Sequence, residues 1–218
     1  MKPSYSRYEL VSELTSDYDF LTQLYLPPEV IQYPHKGGCK HLTPEFVNSL
    51  CLGKDDTVAG LMKHIPYIRR TKEDDWNPWM VYESATAVDI TGDLVLSLPT
   101  KYADEFLFEP EEGNISDIPP HQAPDEEAWR RCEIYTFYEF FSMAKEKFRK
   151  FEMTALNREH VHCTSPDTPQ AQIYREEGVF TEQYNRERCM DRLDEYQEQK
   201  DRKIRQAREE EELPMPPP

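Results

Sequence analysis

The segment 134–151 constrains the fold more than any other part of this sequence. Thr136 and Glu139 stand three residues apart in the spacing of a capping box, and Tyr135 and Phe140 occupy the two positions of a hydrophobic staple. Beyond them Phe137, Phe141, Ala144, Phe148 and Phe151 recur at intervals of three and four. That period predicts a helix from about 137 to 152. Its apolar face is almost wholly aromatic, so it needs a broad apolar partner, and a small sheet is the natural one.

The sheet is predicted upstream. Ile65-Pro66-Tyr67-Ile68, Trp79-Met80-Val81-Tyr82, Ala87-Val88-Asp89-Ile90 and Leu94-Val95-Leu96 are short apolar runs. Asn77-Pro78 and Thr91-Gly92-Asp93 separate them with turn chemistry. Two to four antiparallel strands are expected, with Pro66 placing the first at an edge. Residues 5–26 carry Tyr8, Val11, Leu14, Tyr18, Leu21 and Tyr25 on one helical face, with an expected interruption at Thr15-Ser16-Asp17. Thr43 with Pro44 starts a helix ending at Gly53, and a short helix carries Val58, Leu61 and Met62. Residues 99–125 are rich in proline and acid and read as an irregular loop.

After the aromatic helix, residues 156–170 read as a linker. Residues 171–218 read as a charged helical, partly disordered tail, because Phe180, Tyr184, Met190, Leu193, Tyr196 and Ile204 are sparse and keep no heptad. On that reading, truncation after about residue 185 leaves the thermal midpoint of the domain nearly unchanged while helicity falls. The expected architecture is therefore α+β: one domain over 1–155, helices packed on a small antiparallel sheet, then a charged C-terminal helix or tail. A chain of 218 residues has room for that much.

Composition removes several function classes. Acids outnumber bases 42 to 26, for a formal net charge of -16, so no nucleic-acid partner is expected. No run approaches the roughly 18 apolar residues of a membrane span, and no apolar run follows Lys2 as in a signal peptide. Five dispersed cysteines read as reduced thiols, and the expected compartment is cytoplasmic or nuclear. There are seven glycines, and the glycine-rich phosphate loops, the nucleophile elbow and the zinc-protease helix signature are missing.

Few residue groups suggest chemistry. His35, Cys39, His41 and Cys51 have the ligand types of a zinc site but not its knuckle spacing, so neither metal nor cofactor is expected. His64 and His121 abut prolines at element boundaries, where a ring bonded to a backbone carbonyl is the ordinary role. Trp76 and Trp79 flank a turn and, with His121, are the candidates for a protein-interaction surface. The leading expectation is a non-catalytic protein-interaction module. The alternative is an intracellular enzyme, metal-dependent or not, using the His35/Cys39/His41 or His64/His121 region.

The order of Leu61–Ile68, Trp79–Tyr82, Ala87-Val88-Asp89-Ile90-Thr91-Gly92, Ile118-Pro119-Pro120-His121, Glu126-Glu127-Ala128-Trp129 and Tyr138-Glu139-Phe140-Phe141 resembles a large group of uncharacterised fungal proteins. The resemblance spans about residues 40–155 and implies no activity. It implies a hairpin after the Pro-Pro-His segment, where this chain instead runs through Gln122-Ala123-Pro124 into an acidic stretch.

Overall fold

The computed structural model describes residues 6–40, 42–43, 45–46, 56–69, 79–83, 85–87, 106–109, 114–117, 134–157 and 160–212. The fold is α+β, with the helices packed against small antiparallel ladders.

Helix α1 (Arg7–Thr22) begins at Ser6, whose hydroxyl accepts from the Glu9 amide at 3.2 Å. It runs without a break through Thr15-Ser16-Asp17, where an interruption was expected. Those three residues are tolerated because α1 is held by packing rather than by intrinsic propensity. Helix α2 (Asp56–Met62) follows β1 (Ile31–Gln32) and precedes β2 (Tyr67–Ile68). Of the helix expected from Thr43, the described part shows the Phe46 amide donating to the Thr43 hydroxyl at 3.2 Å, as an N-cap requires.

Strand β2 pairs with β1 and not with the downstream strands, since Ile31 faces Ile68 across the ladder. The Trp79–Tyr82 run supplies β3 (Met80–Tyr82), which turns back on β4 (Ala85–Thr86). The runs expected at 88–90 and 94–96 lie outside the described residues. The expected irregular loop at 99–125 is corrected in part. Strands β5 (Phe106–Glu109) and β6 (Asn114–Asp117) lie inside it, and β6 also pairs with β7 (Ile134–Thr136) in a three-stranded meander.

Helix α3 (Phe137–Arg149) is the predicted aromatic helix, and both hydrogen bonds of its capping box are present. Phe137, Phe140, Phe141, Ala144 and Phe148 are buried. The aromatic face meets a helix as well as a sheet. Leu10 of α1 joins the cluster of Phe137, Phe140 and Phe141, and Phe20 lies 6.2 Å from Phe148, so α1 and α3 run parallel. From the sheet side, Tyr82 of β3 approaches Phe140 at 5.7 Å.

The helix stops in a Schellman motif, with the Glu152 amide bonded to Lys147 O at 2.9 Å and Phe151 N to Phe148 O at 3.0 Å. The left-handed position belongs to Phe151, with φ 58, where glycine is usual. Its ring is held between Tyr174, at 6.3 Å, and the Arg175 guanidinium, at 4.6 Å, which offsets the backbone strain.

The chain then forms β8 (Met153–Ala155) and β9 (Val161–Cys163), an antiparallel hairpin with Met153 opposite Cys163. Helix α4 (Pro169–Glu176) follows, capped by Thr168, and then α5 (Arg186–Glu212). The segment expected to be a linker thus carries β9 and the start of α4. Nor is the region after 171 only a tail: Ala171, Tyr174, Cys189, Met190 and Leu193 are all at most 2 % exposed. Ile173, Tyr174, Val179, Cys189, Met190 and Leu193 share one core cluster with Leu21, Tyr25, Phe148 and Met153. The expected boundary at 155 fails physically, because the main core is closed by residues on both sides of it.

Buried Tyr25 and Tyr174 and half-buried Tyr184 tie these layers together through their hydroxyls. Tyr25 donates to Met80 O at 2.5 Å, Tyr174 to Ala155 O at 3.3 Å, and Tyr184 to Leu24 O. Each donor so placed satisfies a polar tip inside an otherwise apolar contact. Asp17 of α1 is different. It is 6 % exposed, and burial pushes its carboxyl up to about 7, against the attraction of Lys145 and with the repulsion of Glu13.

Candidate functional site

The residues singled out from the sequence do not come together as a reaction centre among the described residues. His41, Cys51, Trp76 and His121 lie outside those residues. His35 is exposed, and its carbonyl accepts from the Gly38 amide at 2.7 Å. Gly38 has φ 79, and a Cβ there would sit 2.8 Å from Lys63 O, so the loop can lie this close only with glycine. The contact is sealed by the Cys39 amide donating to Lys63 O at 2.8 Å. His64 Nδ1 lies 2.7 Å from Gly60 O, so that nitrogen carries the proton and closes the C-terminal turn of α2. This is the carbonyl-bonded role the sequence suggested for His64.

Trp79 is buried, 8 % exposed, and packs in the main core. It is not a surface anchor, contrary to its reading as an interaction residue. A tryptophan beside a turn carries no signal for which way its ring faces. Among the described residues, no group of three or more His, Cys, Asp or Glu converges as metal ligands would. Cys189 is a thiol outside any disulfide. Burial pushes the Cys189 thiol up to about 11, which keeps it protonated and unreactive at neutral pH.

The most distinctive structural feature is the division of α5 into two halves. Asn185 caps the helix, its side chain accepting from the Arg188 amide at 3.0 Å. One face of the first three turns is then buried. Cys189, Met190 and Leu193 are fully buried, and Tyr184 and Tyr196 pack against the same cluster. Buried Glu177, at the end of α4, receives both Arg188 and Arg192, the latter at 2.7 Å. Arg192 also reaches Glu176 at 2.6 Å. The Arg192 hydrogen bond holds the Glu177 carboxyl below its ordinary range despite burial. Between α4 and α5, Gly178 occupies the left-handed C′ position with φ 74, and this turn delivers α5 to its seat.

From Glu198 the helix changes character. Residues 198–208 are exposed without exception, Ile204 among them at 42 %. A helix of 27 residues is about 40 Å long, so the embedded turns hold a projecting section of about 20 Å. In 200–208 the bases are Lys200, Arg202, Lys203, Arg205 and Arg208, against the single acid Asp201. Glu209 to Glu212 then end the helix. Among the described residues, Lys200, Lys203, Arg205 and Arg208 make no ion pair. A chain with a formal charge of -16 therefore displays a local basic band on an exposed helix.

The sequence did expose the charged character of this helix. It hid the anchor, because Met190 and Leu193 are flanked by Arg188, Asp191, Arg192 and Asp194. Among the described residues no helix is long and apolar enough to cross a membrane. Comparison with protein-family models, with curated proteins and with solved structures found no match.

Proposed function

We propose that this protein is a non-catalytic interaction module whose partner-facing element is the projecting part of α5. The observation that carries this reading is a helix fixed along one face by buried Cys189, Met190 and Leu193 and then exposed on every side from 198 to 208. Isolated charged helices of this length are marginal in water, and anchoring one end removes much of the nucleation cost. The partner then meets a preformed helix and orders fewer groups on binding. The basic band selects an acidic protein surface. Nucleic acid is the weaker candidate, because the long-range field of a chain with 42 acids and 26 bases repels phosphates.

Affinity capture from the native cell tests the reading, with the full chain and a variant carrying Lys200→Glu, Lys203→Glu and Arg205→Glu. All three positions are exposed and make no ion pair among the described residues, so the variant folds normally. The expected result is a specific set of acidic proteins retained by the natural chain and lost from the variant. Identical sets from both would remove the helix from the proposal.

A further inference from the structure

The polar groove between α1 and α3 has no role in the reading above. It encloses about 360 Å³. Ser12, Thr15 and Ser16 line it from α1, at the one-face spacing of a helix, with Phe20 a turn further on. Lys145 and Arg149 line it from α3, four residues apart on one face. The helices run parallel, so the hydroxyl row of one faces the cation row of the other.

The electrostatics of the groove are unlike those of the chain. Lys145 Nζ donates to Ser16 Oγ at 2.8 Å and makes no ion pair among the described residues. Its charge acts on the buried carboxyl of Asp17. Arg149 lies 5.0 Å over the Phe20 ring and pairs at 2.7 Å with Glu146, an exposed contact that solvent already screens and that a ligand can displace. The one acid on the wall, Asp19, is engaged by the hydroxyl of Tyr33.

We propose that this groove binds a small molecule carrying a phosphomonoester. Two cations and three hydroxyls from two helices present more donors than the two oxygens of a carboxylate can use. A dianionic phosphate has three terminal oxygens to receive them, one against the point charge of Lys145 and others against the Arg149 fork. Phe20, buried and stacked with Phe180 at 5.7 Å, carries the Arg149 guanidinium over its ring and so fixes that cation in the groove wall.

The test is a titration of the ¹⁵N-labelled full chain with glycerol 3-phosphate, inorganic phosphate and acetate in turn. Saturable shifts confined to the amides of 12–23 and 145–149 are expected with glycerol 3-phosphate, at a Kd below about 1 mM. Inorganic phosphate shifts the same amides more weakly, which separates recognition of the ester from recognition of the anion. Lys145→Met and Arg149→Met should each weaken binding by about tenfold while the rest of the spectrum stays in place. Non-saturating shifts, equal responses to acetate, or unchanged affinity in both variants would overturn the proposal.

Discussion

Truncating the chain after residue 185 abolishes the cooperative thermal transition, whereas truncation after Gln197 leaves the midpoint within a few degrees. The first cut removes Cys189, Met190 and Leu193, each fully buried in the main core. Burying one Leu or Met side chain is worth about 1.5–3 kcal/mol, and the hole left by several together adds a cavity penalty. The same cut strips Arg188 and Arg192 from Glu177, leaving a carboxylate that is 5 % exposed without its counter-charges. A domain of this size has roughly 5–15 kcal/mol in total, and these losses consume most of it. Among the described residues whose burial is defined, the second cut removes only exposed ones, 198–208. Circular dichroism melts of the two truncated chains decide the matter. A normal melt after the cut at 185 would mean that α5 does not close the core.

The Asp17→Asn variant is expected to be more stable than the natural chain at alkaline pH and nearly equal to it in acid. In the folded state burial raises the Asp17 carboxyl to about 7, while in the unfolded chain it titrates near 4. The raised folded value means that stability is greatest below about pH 4 and is lost as pH rises through about 7. The facing groups are Glu13 on the same helix, Lys145 across on α3, and the hydroxyls of Tyr18 and Tyr25, which are themselves raised by burial and by Asp17. Three pH units at about 1.4 kcal/mol each give a total near 4 kcal/mol, of which roughly 3 falls between pH 5 and pH 8. Urea unfolding of both proteins at those two values measures it. The gain from the substitution must grow with pH, and a pH-independent difference would show that Asp17 does not titrate in this window.

What the sequence disclosed was local. The capping box at Thr136 and Glu139 is written within four residues, and the aromatic period of α3 within sixteen, so both were legible. The Schellman stop was not, because phenylalanine at 151 stands where glycine would have announced it. Strands β5 and β6 were masked by the surrounding proline and acid, although Phe106-Leu107-Phe108 and Ile115 had the right side chains. The core role of Met190 and Leu193 is a tertiary fact. Their partners Leu21, Tyr25 and Phe148 lie far away in the chain, and local polarity outweighed them. The groove was invisible for the same reason, since Ser16 and Lys145 meet across 129 residues.

The central claim is that the projecting half of α5 is the surface this protein offers to a partner. A photo-crosslinking amino acid placed at Ile204, which is 42 % exposed, tests it in the native cell, with the same probe at Tyr8, 87 % exposed at the start of α1, as the reference. The account predicts adducts of discrete mass from position 204, absent from position 8 and lost when Lys200, Lys203 and Arg205 are changed to glutamate. Adducts from position 8 alone, or none from 204, would contradict it.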